Sequence, residues 1–235
     1  MMHEERWPVL TTYKAEHLTR IRFPLGGIGT GTVSLGGRGN LHDWEILNRA
    51  HKGFTPSCSF FTLWARAEGE EAVARVLEGE FQPPYDGAAG LGGVGAGLPR
   101  FRQVLFHAAY PFAQVELSDP AVPVCARLEA FNPMIPGDSF RSGLPVAVLR
   151  WVLWNPTRRP VEVAVAGSVE NLVGVDGEAK PDALVNAPRK GEGFSGIFLG
   201  AQGGNTAARD WGSLALVAGG EGSYRTAWHG TGRWN

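Results

Sequence analysis

Residues 131–149 read Phe-Asn-Pro-Met-Ile-Pro-Gly-Asp-Ser-Phe-Arg-Ser-Gly-Leu-Pro-Val-Ala-Val-Leu, and their order predicts a strand, a proline-glycine turn and a second strand. Phe131 closes an apolar run. Asn132-Pro133 and Pro136-Gly137-Asp138 then supply residues whose backbone angles are fixed or permissive, as a turn requires. From Leu144 to Trp154 the chain is apolar at nearly every position except Arg150. That pattern predicts a strand covered on both faces, as a central strand would be.

The same period extends outward. In Val124–Phe131, Val124, Ala126, Leu128 and Ala130 alternate with Cys125, Arg127, Glu129 and Phe131, so one face is expected to be buried. Phe101–Ala108 and Phe112–Leu117 read as the preceding strands. Ser57–Ala67 is rich in strand-favouring aromatics and predicts a hairpin with Ala72–Leu77 across Glu68-Gly69-Glu70-Glu71. Val161–Val169 alternates again, with Val161, Val163, Val165 and Val169 on one side. Short strands are also read at Gly196–Gly200, Leu214–Val217 and Tyr224–Trp228. Residues 83–99 hold too little side chain to build a core and are expected to form a long surface loop. No helix longer than about two turns is expected. The 33 glycines and 16 prolines suit many short strands joined by turns. The fold class read from these patterns is all-β, an antiparallel β-sandwich of many short strands with long loops. Its 235 residues are expected to form one domain.

Composition removes several functions. A net charge of −1, from 22 basic and 23 acidic residues, offers no broad positive surface for nucleic acid or anionic lipid. No apolar run reaches the roughly 18 residues that a membrane helix needs. Met1-Met2-His3-Glu4-Glu5-Arg6 lacks the apolar core of a signal peptide, so a cytoplasmic location is expected. Cys58 and Cys125 sit in strand-like runs, where thiols act as small hydrophobes. The six histidines show no metal-ligand spacing, and neither a metal nor another cofactor is expected.

Three stretches carry polar or flexible residues in notable order. Gly26-Gly27-Ile28-Gly29-Thr30-Gly31 invites a phosphate-cradling reading. However, no Lys-Ser/Thr pair follows, and no strand-to-helix context surrounds it. The glycines are better read as a tight backbone crossing, leading into a strand Thr30–Leu35 and a Gly36-Gly37 turn. Asp43 and Glu45 flank Trp44, so on a regular strand both carboxylates share a face, with Cα atoms roughly 7 Å apart. They read as a structural pair bonded to Arg38, Arg49 or backbone N–H groups, or as a contact for sugar or a companion domain; Trp44 reads as core or as a stacking surface. Asp138, Ser139 and Arg141 sit on the turn, where Asp138 is expected to cap its own backbone and Arg141 to lie at the surface or against a neighbouring domain.

Taken in order, Phe23-Pro24-Leu25-Gly26-Gly27-Ile28-Gly29-Thr30-Gly31, Gly39-Asn40-Leu41-His42-Asp43-Trp44-Glu45-Ile46, the turn at 131–145, Asn155-Pro156-Thr157 and Val161–Ser168 closely resemble the amino-terminal domain of glycoside hydrolase family 116, the bile acid β-glucosidase or non-lysosomal glucosylceramidase family. The resemblance implies a following (α/α)6 domain carrying the Glu nucleophile and Asp acid/base of a retaining β-glucosidase. Both matching positions lie beyond Asn235, so no catalytic residue is expected in this chain, and Trp234 near the end reads as a cut inside a longer structure. A retaining mechanism needs two carboxyl groups roughly 5 to 5.5 Å apart, and no pair here is expected to supply them. The implied task is to brace the helical domain and shape its active-site rim with loops 36–53 and 132–145. Arg38, Asp43, Trp44, Glu45, Asp138 and Arg141 are the rim or interdomain candidates. Partners implied are that catalytic domain and a β-glucoside or glucosylceramide at its interface. The alternative is a freestanding carbohydrate-binding or scaffolding sandwich, with Trp7, Trp44, Trp211, Trp228 and Trp234 available to stack on sugars.

Overall fold

The computed structural model describes residues 10–83, 97–220 and 222–227. Strand makes up 46% and helix 5%, which settles the all-β class. The chain divides into two compact units, parted after Ser168.

Among its described residues the first unit holds twelve strands: β1 (Thr11–Tyr13), β2 (Arg22–Leu25), β3 (Thr32–Gly36), β4 (Leu41–Glu45), β5 (Phe60–Ala67), β6 (Val73–Gly79), β7 (Arg100–Phe101), β8 (Gln103–Ala109), β9 (Phe112–Ser118), β10 (Cys125–Phe131), β11 (Val148–Trp154) and β12 (Val161–Ser168). They form a five-stranded sheet ordered β1-β8-β9-β10-β11, a four-stranded sheet ordered β12-β5-β6-β7, and a three-stranded sheet ordered β2-β3-β4. The larger sheets share one core. Phe106, Val115, Leu117 and Leu128 from the first pack in the same cluster as Leu63, Leu77 and Phe101 from the second, with Leu25 and Leu35 from the small sheet. This is the sandwich that the alternation predicts: Ala126, Leu128 and Ala130 are buried on β10 while Cys125, Arg127, Glu129 and Phe131 remain partly open. The β5–β6 hairpin forms as expected, with Thr62 opposite Val76.

Two strands differ from expectation. The apolar run 144–154 becomes strand only from Val148, and β11 is the outer strand of its sheet rather than a central one. Leu149, Trp151 and Leu153 pack against the core. Val148, Val152 and Trp154 lie on the opposite face in register with Phe131, Arg127 and Cys125, and neighbouring side chains partly shield them. An apolar run therefore marks two low-exposure faces here without two covering layers. Likewise the valines of β12 share the face of Leu63 and Ala65 across the ladder, yet most of the strand is open to solvent.

Among its described residues the second unit holds a three-stranded antiparallel sheet of β13 (Ala183–Gly191), β14 (Phe194–Gln202) and β15 (Leu214–Gly219). β13 was not expected from the sequence; Pro188 lies on it, and as an outer strand it tolerates the missing N–H. Residues 224–227 are not strand. Among the described residues the only helical pieces are a 3-10 turn at Ala15–Arg20 and a helix α1 at Ser139–Ser142. Most of the expected 83–99 loop lies outside the described residues.

Candidate functional site

The three sequence stretches that look unusual in isolation meet in the first unit. Gly26 has φ +142°, and a Cβ there would stand 2.4 Å from the Gly31 carbonyl oxygen. A Cβ on Gly27 would stand 2.4 Å from the Leu144 carbonyl oxygen, and one on Gly31 2.8 Å from that of Glu45. Glycine is therefore required sterically, because the loop is crossed by both other segments. Hydrogen bonds fasten the crossing. The Ile28 N–H donates to the Ser142 carbonyl at 2.8 Å. Buried Asn132 accepts from the Gly26 N–H at 2.7 Å and donates through Nδ2 to the Pro24 carbonyl at 2.8 Å. This is the tight backbone crossing read from the glycines.

The second stretch is bent. Thr32 pairs with Glu45 and Ser34 with His42, so three steps on β4 oppose two on β3, and Asp43 takes φ +48°. A bulge of this kind breaks simple alternation. Both carboxylates nevertheless address one turn. Asp43 Oδ1 accepts from the Gly53 N–H at 2.6 Å, with Arg22 Nε 3.6 Å from Oδ2. Glu45 Oε1 accepts from the His51 N–H at 3.1 Å, and Oε2 pairs with Lys52. Burial pushes the Asp43 carboxyl up, but the Gly53 N–H, His42, Arg22 and Lys52 together outweigh it and hold the group below the ordinary aspartate range. Lys52 and the His51 N–H hold Glu45 below its usual range as well. Trp44 is only 6% exposed, its backbone N–H donates to the Phe54 carbonyl at 3.2 Å, and its indole N–H finds no acceptor among the described residues. The acidic pair thus fixes the 46–54 loop through backbone N–H groups, one of the three structural partners expected for it.

Arg49 lies in the same loop, its Nη2 2.9 Å from His51 Nε2, and Arg38 is engaged elsewhere. Arg38 donates to Glu78 Oε2 at 2.6 Å and to the Gly79 carbonyl at 3.2 Å. Arg100 shares the same carboxylate oxygen at 3.2 Å, and both guanidinium groups lie over Phe81, at 4.4 and 4.3 Å from its centroid. Burial lowers the Arg100 pKa, with Glu78 opposing and Arg38 adding to the shift.

On the third stretch Asp138 caps α1: its Oδ1 accepts from the Arg141 N–H at 2.9 Å, and Arg141 Nε stands 3.5 Å from Oδ2 with its side chain exposed. Ser142 latches the loop, accepting from the Ile135 N–H at 2.9 Å and donating to the Ile135 carbonyl at 3.1 Å. The capped turn presents Phe140 outward at 88% exposure, and Ile28, Ile135, Leu144 and Val146 are exposed beside it in the same two loops. The sequence reading did not single out Phe140 or Asn132; a surface phenylalanine between a cap and a latch was the available signal. Trp211 lies in the second unit, half-buried, and Trp7, Trp228 and Trp234 fall outside the described residues. Among the described residues no three His, Cys, Asp or Glu side chains group to hold a metal ion, and no helix is long and apolar enough to cross a membrane.

A β-sandwich whose glycine loop, bulged acidic strand and capped turn interlock, with their carboxylates bonded to backbone N–H groups, belongs to the class of all-β sandwich domains. The family model described as beta-glucosidase 2, glycosyl-hydrolase family 116 N-term, matches residues 22–234, and the chain belongs to this family. The match takes in both compact units.

Proposed function

We propose that this chain is the non-catalytic amino-terminal part of a retaining β-glucosidase or glucosylceramidase-like hydrolase, bracing a linked (α/α)6 catalytic domain and shaping its active-site rim. The observation that carries this reading is the interlocked loop pair 26–31 and 132–146, which is held rigid from within and turns Phe140, Ile28 and Leu144 to solvent. Apolar side chains on a braced loop fit a protein contact better than a free surface. Asp43, Glu45, Asp138 and Arg141 then act as positioning residues that set loop shape, and Arg38 braces the adjoining β6–β7 region. Free thiols at Cys58 and Cys125 fit a reducing compartment, and the cytoplasm is part of this reading.

The test has two parts. The 235-residue chain should hydrolyse no aryl β-glucoside, and it should bind the separately produced remainder of its polypeptide with at least tenfold weaker affinity after Phe140→Ser. Hydrolysis by this chain alone, or unchanged affinity in the variant, would overturn the proposal. Glucoside binding by the isolated chain with no such complex would favour the freestanding carbohydrate module.

A further inference from the structure

The outer strand of the four-stranded sheet is unusually open. β12 pairs with β5 over eight residues without a register shift, and among the described residues no strand pairs with its other edge. Every residue from 162 to 167 is exposed. Val163 and Val165 stand directly opposite Ala65 and Leu63, which are 0% and 1% exposed, yet are themselves 43% and 39% exposed. Among the described residues the apolar layer between the sheets therefore runs out to the edge and stops uncovered. Natural edges are blunted by lysines, internal prolines, bulges or short length. None of these protects β12, whose one charged residue, Glu162, is occupied by Arg66 on β5 at 2.6 Å.

We propose that this edge pairs with a second copy of the chain, antiparallel about a two-fold axis at Ala164, joining two four-stranded sheets into one of eight strands. Backbone groups of alternate residues point to the same edge, so a strand meeting its own copy antiparallel must be centred on a residue. Centring on Ala164 sets Val163 against Val165 of the second copy, twice, and continues the buried layer with β-branched cross-strand pairs. It sets Glu162 against Ala166 and Val161 against Gly167, so no like charges face each other. The two Glu162 side chains then lie about 14 Å apart along the strand, beyond the Debye length of about 8 Å. A strand from another protein would need the same small, β-branched, nearly uncharged surface, and β12 itself supplies it. A two-fold contact of this kind closes on itself, because the same strand serves both copies and each β12 edge is used up.

The experiment uses the 235-residue chain with Cys58→Ser and Cys125→Ser as background. Size-exclusion chromatography with light scattering should give twice the 25.2 kDa chain mass. Ala164→Cys should oxidise readily to a covalent dimer, since facing residues bring the two thiols within disulfide reach, whereas Glu162→Cys should not. Val165→Lys should return the species to monomer with its β circular dichroism kept, and Phe140→Ser should leave the dimer intact. A monomer at all concentrations, equal cross-linking at 162 and 164, or a dimer that survives Val165→Lys would overturn the inference. A monomer would leave the catalytic-domain reading standing, and loss of the Phe140 effect on that domain would leave this one standing.

Discussion

Gly27 is packed against Leu144 so closely that a Cβ would lie 2.4 Å from the Leu144 carbonyl oxygen and 2.6 Å from the Gly143 carbonyl carbon. Both are backbone atoms and cannot rotate aside. Gly27→Ala is therefore expected to destabilise the chain by about 1 to 3 kcal/mol through overpacking. Gly29→Ala meets nothing within 4 Å but sits at φ +74°, so only left-handed backbone strain of roughly 1 kcal/mol opposes it. Urea unfolding of the two variants side by side checks this, and a larger loss at 29 than at 27 would contradict the interlock.

Asn132 holds the same junction by hydrogen bonding, accepting from one strand-end N–H and donating to one carbonyl 108 residues away. Asn132→Ala strands both backbone groups at a residue that is only 7% exposed. The expected loss is about 1 to 3 kcal/mol for buried polar groups left unpaired. Asn132→Asp keeps the acceptor but places a carboxylate oxygen against the Pro24 carbonyl, so it should fall at least as far at neutral pH. Thermal or urea denaturation of both variants measures the difference.

The success and failure of the sequence reading follow from the range of each interaction. Strand β10 was legible because period-two burial is written in consecutive residues, and the Asp138 cap was legible because its acceptor and donor are three residues apart. The crossing of Gly27 by Leu144, and the Asn132 bridge to Gly26, join positions more than 100 residues apart, and a single sequence carries no record of such pairings. Glycine spacing announced that something crosses at 26–31 without saying what. Arg38 looked available to Asp43 because the two are near in sequence, yet its charge is satisfied by Glu78. The double coverage read into Leu144–Trp154 failed in two ways: Leu144 and Val146 are exposed on the turn, and in Val148–Trp154 hydrophobicity marks low exposure of side chains, not the number of layers that cause it.

The cap at Asp138 should govern local order more than global stability. Asp138→Ala removes the oxygen that accepts from the Arg141 N–H and leaves the turn to the Ser142 Oγ latch and its backbone hydrogen bonds. Capping losses run about 0.5 to 2 kcal/mol, and α1 is only four residues long. Amide exchange at 140–143 is therefore expected to quicken by roughly tenfold, about 1.4 kcal/mol of local opening, while exchange in β9 and β10 stays unchanged. Equal acceleration in those strands would show that the turn is coupled to the core rather than carried on it.

Asp43 gives the clearest dependence on pH. Its folded pKa lies below the ordinary value because the Gly53 N–H and the neighbouring cations outweigh burial. A depressed folded pKa means that the unfolded chain binds more protons between the two values, so stability rises with pH there. The contribution is fully present above the unfolded pKa, about 3.9, and is lost as pH falls from there through the folded pKa. Asp43→Asn isolates the charge, since asparagine also tolerates φ near +48° and can accept from Gly53. The variant should be less stable than the parent at pH 7. Its stability should also fall less steeply as pH is lowered from about 4, with the two curves converging at the acid end. Denaturant titrations at several pH values test this. Parallel curves would mean that the Asp43 charge is not favoured by folding and that the turn at 51–53 is held by its hydrogen bond alone.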